Sequence, residues 1–462
     1  MAGFIDRTEE LAQLENEYNK KEASLFILYG RRRIGKTKLL EKFSENKDPI
    51  FFIATAESEK ENMNSFRKCV AVKTKNKLLE KAKVDSWDDI FECALEAVKE
   101  KKLLIIIDEF QYIGKSNPAF VSRLQKIWDS VLSKNNVMLV LCGSLVNMMY
   151  SQTLSYSSPL YGRRTGLRKL KQIPFKYYGD FYPSKRRKEL IEYYSVTGGI
   201  PKYIQTFNFD GDIYSAVEKC VISKESYLYD EPTFLLSGEV QEIGSYFSII
   251  KTIANGKEKQ SEIASALEIK STSLPKYLKT LIDLDIIERE VPVTETNPEK
   301  SKMGLYKIKD NFIRFWFKFI YPYKPYLETD NEKIVIDRIK KTLISNHTAY
   351  VYEELCRREF IYELISGGAW DFIPSKIGRW WDRSDQEIDI VALDEEGENI
   401  IFGECKFTNK ETDTDVFYSL TQKTKYVKWH NDTRKEHFVL FSEGGYTEKM
   451  KKLAKEKNII LY

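Results

Sequence analysis

Several residue types that would indicate a secreted or metal-rich protein are scarce in this 462-residue chain. It has six cysteines, none of them in a CxxC pair, and three histidines. A structural zinc site needs clustered cysteine and histidine ligands, so we expect none here. Unpaired, scattered thiols are typical of a reducing compartment, and we therefore predict a cytoplasmic protein.

Long apolar runs are also missing, and there is no low-complexity tract or internal repeat. The most apolar stretch, Phe312–Tyr323, is too short to span a bilayer and is interrupted by Arg314 and Lys318. We predict an aromatic-rich core helix there. No signal peptide is apparent, because Met1–Arg7 reaches charged side chains at once. No membrane partner is expected.

A charge of one sign is lacking as well. The formal net charge is only +4 although 31% of residues are charged. The whole-molecule field is therefore weak, and any nucleic-acid contact has to come from a local basic patch. The length exceeds that of one ordinary core and predicts two or three domains.

What the chain does contain is a series of short, continuously apolar runs separated by amphipathic segments. These runs are Leu25–Tyr29, Ile50–Ala54, Leu103–Ile107 and Val137–Leu141. Such strands alternating with helices predict a parallel sheet that is covered on both faces. We place this α/β domain at residues 1–175.

The first apolar run leads directly into GRRRIGKT, residues 30–37. This is the GxxxxGK[ST] pattern, in which backbone N–H groups of a glycine-containing loop surround phosphates at a helix N-terminus. We predict that Lys36 reaches the terminal phosphates and that the Thr37 hydroxyl holds Mg²⁺. The predicted nucleotide-binding residues of this loop are Gly30, Arg31, Arg32, Arg33, Ile34, Gly35, Lys36, Thr37 and Lys38.

A matching acidic pair, Asp108-Glu109, follows the third apolar run. Open α/β sheets bind ligands at the C-terminal ends of their strands, where these carboxylates would lie. We predict that Asp108 coordinates magnesium and that Glu109 orients or deprotonates the attacking water, the alternative for Glu109 being a solvated loop acid. Ser144 after the fourth run is either a γ-phosphate sensor or an ordinary helix N-cap.

Two arginines, Arg163 and Arg164, follow in a basic turn. They are either a phosphate-sensing arginine finger or solvated side chains. The sequence does not say whether such a finger would act in its own subunit or across an interface, so a homo-oligomer is left open.

A family resemblance is carried by Phe4–Leu11, Gly30–Thr37, Asp108–Gln111, Cys142–Ser144 and Gly198–Pro201. With these segments the chain resembles the archaeal-type ATPases of the STAND division, within the AAA+-related P-loop proteins. The resemblance covers essentially the whole chain. It implies that ATP is the nucleotide, that Arg7 and Glu9 lie near its base, and that Pro201 packs on the adenine from a helical lid. It also implies that the nucleotide state switches the domain arrangement.

Two short helices and a hairpin between residues 245 and 325 predict a winged helix. Its second helix, Ser273–Leu284, would carry Lys276 and Lys279 toward a DNA major groove. Basic residues barely outnumber acidic ones in this part of the chain, which makes the nucleic-acid footprint faint. We slightly favour a packing or lever role over direct base reading.

The last segment contains the strands Ile388–Leu393 and Ile400–Phe407 around a turn at Glu396-Gly397. If they form a tight hairpin, Asp389 lies opposite Glu404, and the two-residue period puts Lys406 on the same face as Glu404. Two carboxylates and a lysine can bind a divalent metal, activate water and stabilise a phosphate. The other interpretation is an exposed hairpin with alternating charges.

This pattern, with Gly378–Asp382 before it, resembles the PD-(D/E)XK nucleases, although no proline precedes Asp389. The resemblance implies phosphodiester hydrolysis with Mg²⁺ or Mn²⁺ bound by Asp389 and Glu404, with Glu353 or Glu354 completing the metal shell. A nuclease fold retained only as a binding platform is the alternative. Gln422 and Lys425 would touch nucleic-acid phosphates or, as we prefer, face solvent.

We therefore predict four domains: a P-loop NTPase core with a parallel sheet at 1–175, a helical lid at 176–244, a winged helix at 245–325 and an α/β nuclease-like domain at 331–462. The predicted function is an ATP-binding and ATP-hydrolysing switch that acts on DNA or RNA. The alternatives are an ATP-dependent signalling scaffold with an inactive nuclease fold and a nucleotide-controlled winged-helix DNA-binding regulator. The predicted catalytic residues are Lys36, Glu109, Asp389, Glu404 and Lys406.

Overall fold

The structure is a computed structural model that describes residues 4–81, 86–96 and 101–462. The first three residues, part of the segment in which we expect no signal peptide, lie outside the described residues. Residue packing divides the chain into two compact units. The first unit comprises the chain up to Ile173 with Ile200–Lys202 and Phe234–Gln241, and the second comprises Pro174–Gly199, Tyr203–Thr233 and Glu242–Tyr462. The division into four domains stays a prediction.

The first unit is built on a five-stranded sheet. Its strands are β1 (Ser24–Tyr29), β2 (Ile50–Ile53), β3 (Leu103–Asp108), β4 (Val137–Gly143) and β5 (Gly166–Lys169). They run in the order β2-β3-β4-β1-β5, and every neighbouring pair is parallel. The predicted parallel sheet is confirmed. Sequence reasoning missed β5, because its four half-buried residues do not form an apolar run.

Eight α-helices accompany this sheet among the described residues up to Ile173. They are α1 (Thr8–Tyr18), α2 (Lys36–Ser44), α3 (Glu59–Thr74), α4 (Lys77–Lys81), α5 (Trp87–Leu95), α6 (Gln111–Ser116), α7 (Ala119–Ser130) and α8 (Val146–Met149). A 3₁₀ helix spans Leu132–Lys134 and a π-helix spans Tyr150–Leu154. Fully buried aromatic side chains such as Trp87 and Phe120, with ring centroids 4.6 Å apart, fill the core beside the strands. The removal of these rings from water is the main force that holds the helices on the sheet.

From Arg187 to Ser366 the chain is mostly helical. The α-helices are α9 (Arg187–Thr197), α10 (Pro201–Thr206), α11 (Ile213–Val217), α12 (Glu231–Ser237), α13 (Ile243–Ala254), α14 (Gln260–Ala266), α15 (Leu274–Asp283), α16 (Asn311–Phe319), α17 (Lys324–Glu328), α18 (Glu332–Leu343), α19 (Ala349–Leu355) and α20 (Ile361–Ser366). Shorter 3₁₀ helices span Phe175–Phe181, Pro298–Lys300 and Tyr321–Tyr323, and π-helices span Glu218–Ile222, Ile344–Thr348 and Cys356–Phe360. Helix α16 buries its aromatic residues, as predicted for a core helix.

Two strands, β6 (Ile287–Glu290) and β7 (Leu305–Ile308), form the predicted antiparallel hairpin after α14 and α15. In the described ranges, no helix combines the length and the apolar character that crossing a membrane would require.

The C-terminal part of the second unit is a mixed sheet of β8 (Lys376–Trp381), β9 (Glu387–Leu393), β10 (Asn399–Lys406), β11 (Lys435–Ser442) and β12 (Ile460–Leu461), with α21 (Thr414–Thr424) and α22 (Glu448–Lys457). The strand order is β12-β11-β10-β9-β8. Strands β8, β9 and β10 are antiparallel neighbours, whereas β11 and β12 continue parallel to β10. Asp394 stabilises the β9–β10 turn by accepting hydrogen bonds from the backbone N–H groups of Gly397, Glu398 and Asn399.

Candidate nucleotide-binding site

The loop between β1 and α2 depends on two glycines. Gly30 passes so close to Leu170 that an added Cβ would lie 2.7 Å from the Leu170 carbonyl oxygen. Gly35 has φ +93°, a left-handed conformation that favours glycine, and it immediately precedes the first residue of α2. The N–H groups at the start of α2 have no earlier helical carbonyl to bond, so this end of the helix is suited to an anion.

Lys36 is buried with only 5% of its surface exposed, and its ammonium group lies inside the loop. The ammonium nitrogen donates hydrogen bonds to the carbonyl oxygens of Gly30 at 2.8 Å and Arg31 at 3.0 Å. Burial lowers the pKa of Lys36, because desolvation disfavours the charged form. The lysine is therefore held where the phosphates are predicted to bind, with a charge that an anion would stabilise.

Thr37 and Asp108 meet across the C-terminal edge of the sheet. The Thr37 hydroxyl donates a 2.7 Å hydrogen bond to Asp108 Oδ2, and the N–H of Glu109 donates to Asp108 Oδ1 at 2.9 Å. A hydroxyl and a carboxylate are the oxygen ligands that Mg²⁺ prefers. The side chains present therefore fit the predicted cation. Thr37 lies at the start of α2, which follows β1, and Asp108 ends β3; β4 lies between these two strands in the sheet.

Glu109 has φ +54°, an uncommon conformation for a residue with a side chain. Its carboxylate oxygen Oε2 accepts a 2.7 Å hydrogen bond from the Ser144 hydroxyl and another from the Gln111 amide. Ser144, placed by the end of β4, thus contacts the predicted catalytic acid. Gln111 was missed as a functional residue, although it lies two positions after Glu109.

Arg7 contacts the phosphate-binding loop through its side chain. The residue is 4% exposed, and its guanidinium donates to the carbonyl oxygens of Ile34 at 3.1 Å and Lys171 at 2.8 Å. Glu9 is an exposed partner of Arg168 at 3.2 Å. The positions of Arg7 and Glu9 near the base stay predictions, whereas the contact of Arg7 with the loop is an additional role that the sequence did not indicate.

Other predicted residues lie at different distances from the phosphate end. Pro201 approaches the loop, since a Cβ added to Gly35 would lie 3.8 Å from the Pro201 ring carbon Cγ. Lys38 is exposed and pairs with Glu41 at 2.6 Å. Its side chain therefore points to solvent, and any contact with nucleotide would have to come from its backbone.

The two arginines of the basic turn differ in their surroundings. Arg163 forms a bidentate ion pair with Asp129, 2.8 Å at its shortest, and donates to the Pro159 carbonyl. The guanidinium of Arg164 lies 5.7 Å from the Tyr161 ring centroid. The pairing of Arg163 with an exposed aspartate favours a structural role for that residue in this arrangement.

Glu239 approaches the loop from a segment far along the chain. Its carboxylate accepts a hydrogen bond from the Val146 backbone and faces Arg32, Lys36 and Arg31. Burial raises the pKa of Glu239 to about 7. No local motif marks this residue, which is about two hundred positions from the loop, and sequence reasoning missed it.

The C-terminal candidates also come together. The register of β9 with β10 pairs Ile390 with Gly403, and its continuation puts Asp389 opposite Glu404. Lys406 donates to Glu404 at 2.8 Å, and the N–H of Cys405 donates to Asp389 at 2.9 Å.

The buried acids of this cluster repel one another. Burial and the nearby Glu404 carboxylate raise the pKa of Asp389 to about 6. Burial and Asp389 raise the pKa of Glu353 to about 9. Lys423 was missed, and it reaches Glu404 at 3.3 Å. The neighbouring Gln422 and Lys425 are exposed, which agrees with the preferred interpretation of these two side chains.

Glu354, the alternative metal ligand, is engaged elsewhere. It forms ion pairs with Arg357 and Arg358, and the former also contacts Glu290. Within the described residues, the only three acids whose ligand atoms lie within 4.8 Å of one another are Glu288, Glu290 and Glu354. Because their carboxylates are paired with arginines, we regard this group as an ion-pair cluster. Glu353, which is close to Asp389, is therefore the better placed of the two glutamates to complete a metal shell.

Two family models match the chain. Residues 4–207 match an ATPase domain found predominantly in Archaea, and residues 316–417 match a family of archaeal and bacterial proteins of unknown function. An uncharacterized protein of Methanocaldococcus jannaschii, MJECL04, is 37% identical over 429 residues, which are 92% of this chain and 92% of that protein. The chain belongs to the archaeal ATPase family.

The chain has two further similarities to known proteins. The uncharacterized ATP-binding protein MJ0423 of the same organism is 59% identical over 44 residues, 10% of this chain and 75% of that protein. The solved structure of the Walker-type ATPase PABY2304 of Pyrococcus abyssi has a TM-score of 0.52 and 21% identity, and covers 68% of this chain and 96% of that chain. This last similarity concerns the fold alone. The archaeal ATPase therefore has a P-loop core of known type.

Proposed function

We propose that this archaeal ATPase binds and hydrolyses ATP with Mg²⁺ and uses the nucleotide state to switch the arrangement of a lid, a winged helix and a nuclease-like domain. The observation that carries the proposal is the 2.7 Å hydrogen bond between Thr37 and Asp108 beside the buried Lys36. This hydrogen bond joins the phosphate-binding loop after β1 to the acidic pair after β3, and these two strands are not consecutive in the chain.

Each residue of this site has a specific task in the proposed reaction. Bound Mg²⁺·ATP supplies the reactive phosphoryl group and the divalent charge. Lys36 and the N-terminus of α2 bind phosphate oxygens, while Thr37 and Asp108 hold the position of the cation. The Glu109 carboxylate, oriented by Ser144, takes the proton of the attacking water.

The test compares ATP binding and ATP turnover in the wild-type protein, Lys36→Ala and Glu109→Gln. Lys36→Ala should lose binding, and Glu109→Gln should bind ATP but hydrolyse it roughly 10²–10⁴ times more slowly. Lys42→Ala is the matched control, since this exposed lysine of α2 pairs with Glu45. Normal turnover in Lys36→Ala would refute the proposal.

A metal-dependent nuclease is the second function that a specific observation favours. Asp389, Glu404 and Lys406 form one charge cluster. Burial and repulsion from Glu404 raise the pKa of Asp389, and a bound divalent cation would stabilise both carboxylates. The carboxylate oxygens suit Mg²⁺. In this proposal Lys406 binds a phosphate oxygen of the nucleic acid. Cytoplasmic DNA or RNA would be the substrate.

Cleavage of single- and double-stranded DNA and RNA should be measured with Mg²⁺ or Mn²⁺, with and without ATP. Asp389→Ala and Lys406→Ala should both abolish cleavage, whereas Lys449→Ala, an exposed lysine on α22, should not. Normal ATP turnover without any cleavage would support the alternative of a signalling scaffold with an inactive nuclease fold.

Helix α15 supports a third proposal, a winged-helix regulator that binds DNA. Lys276 and Lys279 are exposed on this helix, while Leu274, Leu278 and Leu281 are buried. A lysine pair on the exposed face suits contact with phosphates. Duplex binding that is lost in Lys276→Ala/Lys279→Ala and retained in Lys406→Ala would favour this function over the nuclease.

A further inference from the structure

Glu239 lies just after α12, in a turn that carries its side chain to the phosphate-binding loop. The backbone N–H groups of Glu239 and Val240 both donate to the Leu236 carbonyl, at 2.9 and 3.0 Å. Leu235 and Leu236 are buried and hold the end of the helix. Gly238 permits a close approach, because an added Cβ would lie 3.0 Å from Nη1 of Arg32. The turn is therefore packed directly on a loop arginine.

The Glu239 carboxylate faces three basic side chains of the loop: Arg32, Lys36 and Arg31. One of its oxygens accepts from the backbone of Val146, two residues after Ser144. The other, Oε1, is buried without a hydrogen-bonding partner among the residues that the structure describes. A buried oxygen that lacks a hydrogen-bond donor destabilises the folded protein. Such a costly group is found more often at functional sites than in an ordinary core.

Arg32 is itself fixed in this position. Its guanidinium donates a 2.7 Å hydrogen bond to the hydroxyl of Tyr112, the residue that follows Gln111. The carboxylate of Glu239 is thus surrounded by the loop, the β4 end and the α6 start, where the terminal phosphate of a nucleotide is expected to interact.

We propose that the carboxylate of Glu239 acts as an internal anion at the phosphate end of the ATP site, and that incoming phosphates must displace it. The inference rests on the proposed ATP site. Without nucleotide, Glu239 offsets the positive charge of Lys36 and the loop arginines. When phosphates bind, two anions compete for the same cations, and the repulsion lowers the affinity for ATP.

The position of the carboxylate makes displacement feasible. Burial raises the pKa of Glu239 to about 7 despite the neighbouring cations, so desolvation outweighs the attraction to these charges. A carboxylate that is this weakly stabilised can leave at a modest cost. Glu239 lies two residues beyond the end of α12 at Ser237, in a turn and not within the helix.

The experiment measures equilibrium binding of ATP, inorganic triphosphate and adenosine by calorimetry, with Mg²⁺ present and at a pH well above 7, where the Glu239 carboxyl group is ionised. Glu239→Gln keeps the size of the side chain but removes its charge. We expect ATP and triphosphate to bind on the order of tenfold more tightly, since one like-charge contact is lost. Adenosine, which has no phosphate, should bind with unchanged affinity.

Two further variants separate charge from packing. Glu239→Asp retains the charge and should bind ATP as the wild type does. Glu41→Gln removes an exposed carboxylate from α2 and should also leave the affinity unchanged. Tighter binding in both Glu239→Gln and Glu239→Asp would overturn the inference, because packing and not charge would then be responsible.

The remaining outcomes distinguish the inference from the proposed function. If the wild type binds ATP and Glu239→Gln binds it equally well or more weakly, the internal-anion role is wrong while the ATP site stands. If neither protein binds ATP, the proposed function itself fails, and the inference fails with it. If adenosine binding tightens as much as ATP binding, Glu239 does not act on the phosphates.

Discussion

The hydroxyl of Ser144 donates a 2.7 Å hydrogen bond to the carboxylate of Glu109. This contact exists because β4 lies between β1 and β3, so that the residue after β4 is adjacent to the acid after β3. The Gln111 amide donates to the same oxygen. Two donors thus orient the group that is proposed to activate water.

Ser144→Ala should lower the rate of ATP hydrolysis by about tenfold, because Glu109 keeps one of its two donors and loses part of its orientation. The affinity for ATP should change little, since the phosphates are bound by other groups. Steady-state kinetics and equilibrium binding measure the two effects separately. Ser133→Ala, a change in an exposed serine, is the control, and an unchanged kcat in Ser144→Ala would contradict the orienting role.

Arg7→Ala should destabilise the protein by about 2–4 kcal/mol, because the carbonyl oxygens of Ile34 and Lys171 lose a buried charged donor. The loop should also bind ATP more weakly. Chemical denaturation and calorimetry provide the two measurements. Arg123→Ala removes an exposed partner of Asp88 and should cost well under 1 kcal/mol. Equal stability losses in both variants would refute the importance of the buried contact.

The stability of the nucleotide-free protein should depend on Glu239 between about pH 4.5 and 7. Because the folded pKa of this acid is raised from 4.5 to about 7, the folded state binds more protons in this window, and stability falls as the pH rises. The contribution is at most about 1.4 kcal/mol per pH unit.

Glu239→Gln should remove this part of the pH dependence, and the difference between the two profiles isolates it from other titrating groups. Denaturant unfolding at several pH values provides the measurement. Parallel profiles for the two proteins would show that Glu239 is not the group responsible.

Asp389→Asn should stabilise the metal-free protein by about 1 kcal/mol at pH 8, because it removes a carboxylate whose pKa is raised by burial and by repulsion from Glu404. The amide oxygen can still accept the hydrogen bond from Cys405. Addition of Mg²⁺ or Mn²⁺ without nucleotide should raise the melting temperature of the wild type more than that of Asp389→Asn.

Thr37→Ala is the control for this metal effect, because it changes the other predicted metal site and should keep the increase in melting temperature. A wild type that does not respond to either metal would argue for a binding platform at the C-terminal site.

Local patterns predicted much of the geometry of the candidate nucleotide site. Gly35, Lys36 and Thr37 are consecutive, and a strand followed by a helix forces them into one loop. The carboxyl ends of parallel strands share one edge of a sheet, so Asp108 could be placed near that loop without coordinates. The hairpin period likewise predicted the approach of Lys406 to Glu404.

Contacts between distant segments could not be predicted in this way. Nothing near Glu239 or Lys423 indicates a partner, and Glu353 and Glu354 differ only by which face of α19 meets the sheet. The position of the Arg7 guanidinium against the loop depends on a carbonyl oxygen of Lys171, a residue far along the chain. Which of these contacts form is determined by tertiary packing, to which many weak contacts from the whole chain contribute.

The sequence by itself determined the P-loop, the acidic pair, the parallel sheet and the C-terminal hairpin, because each depends on backbone geometry and side-chain periodicity over a few residues. Only the tertiary structure decided the strand order that brings Ser144 to Glu109 and the turn that brings Glu239 to Lys36 and Arg32. Those pairs join residues far apart in the chain, and long-range packing, which has no local periodicity, selects them.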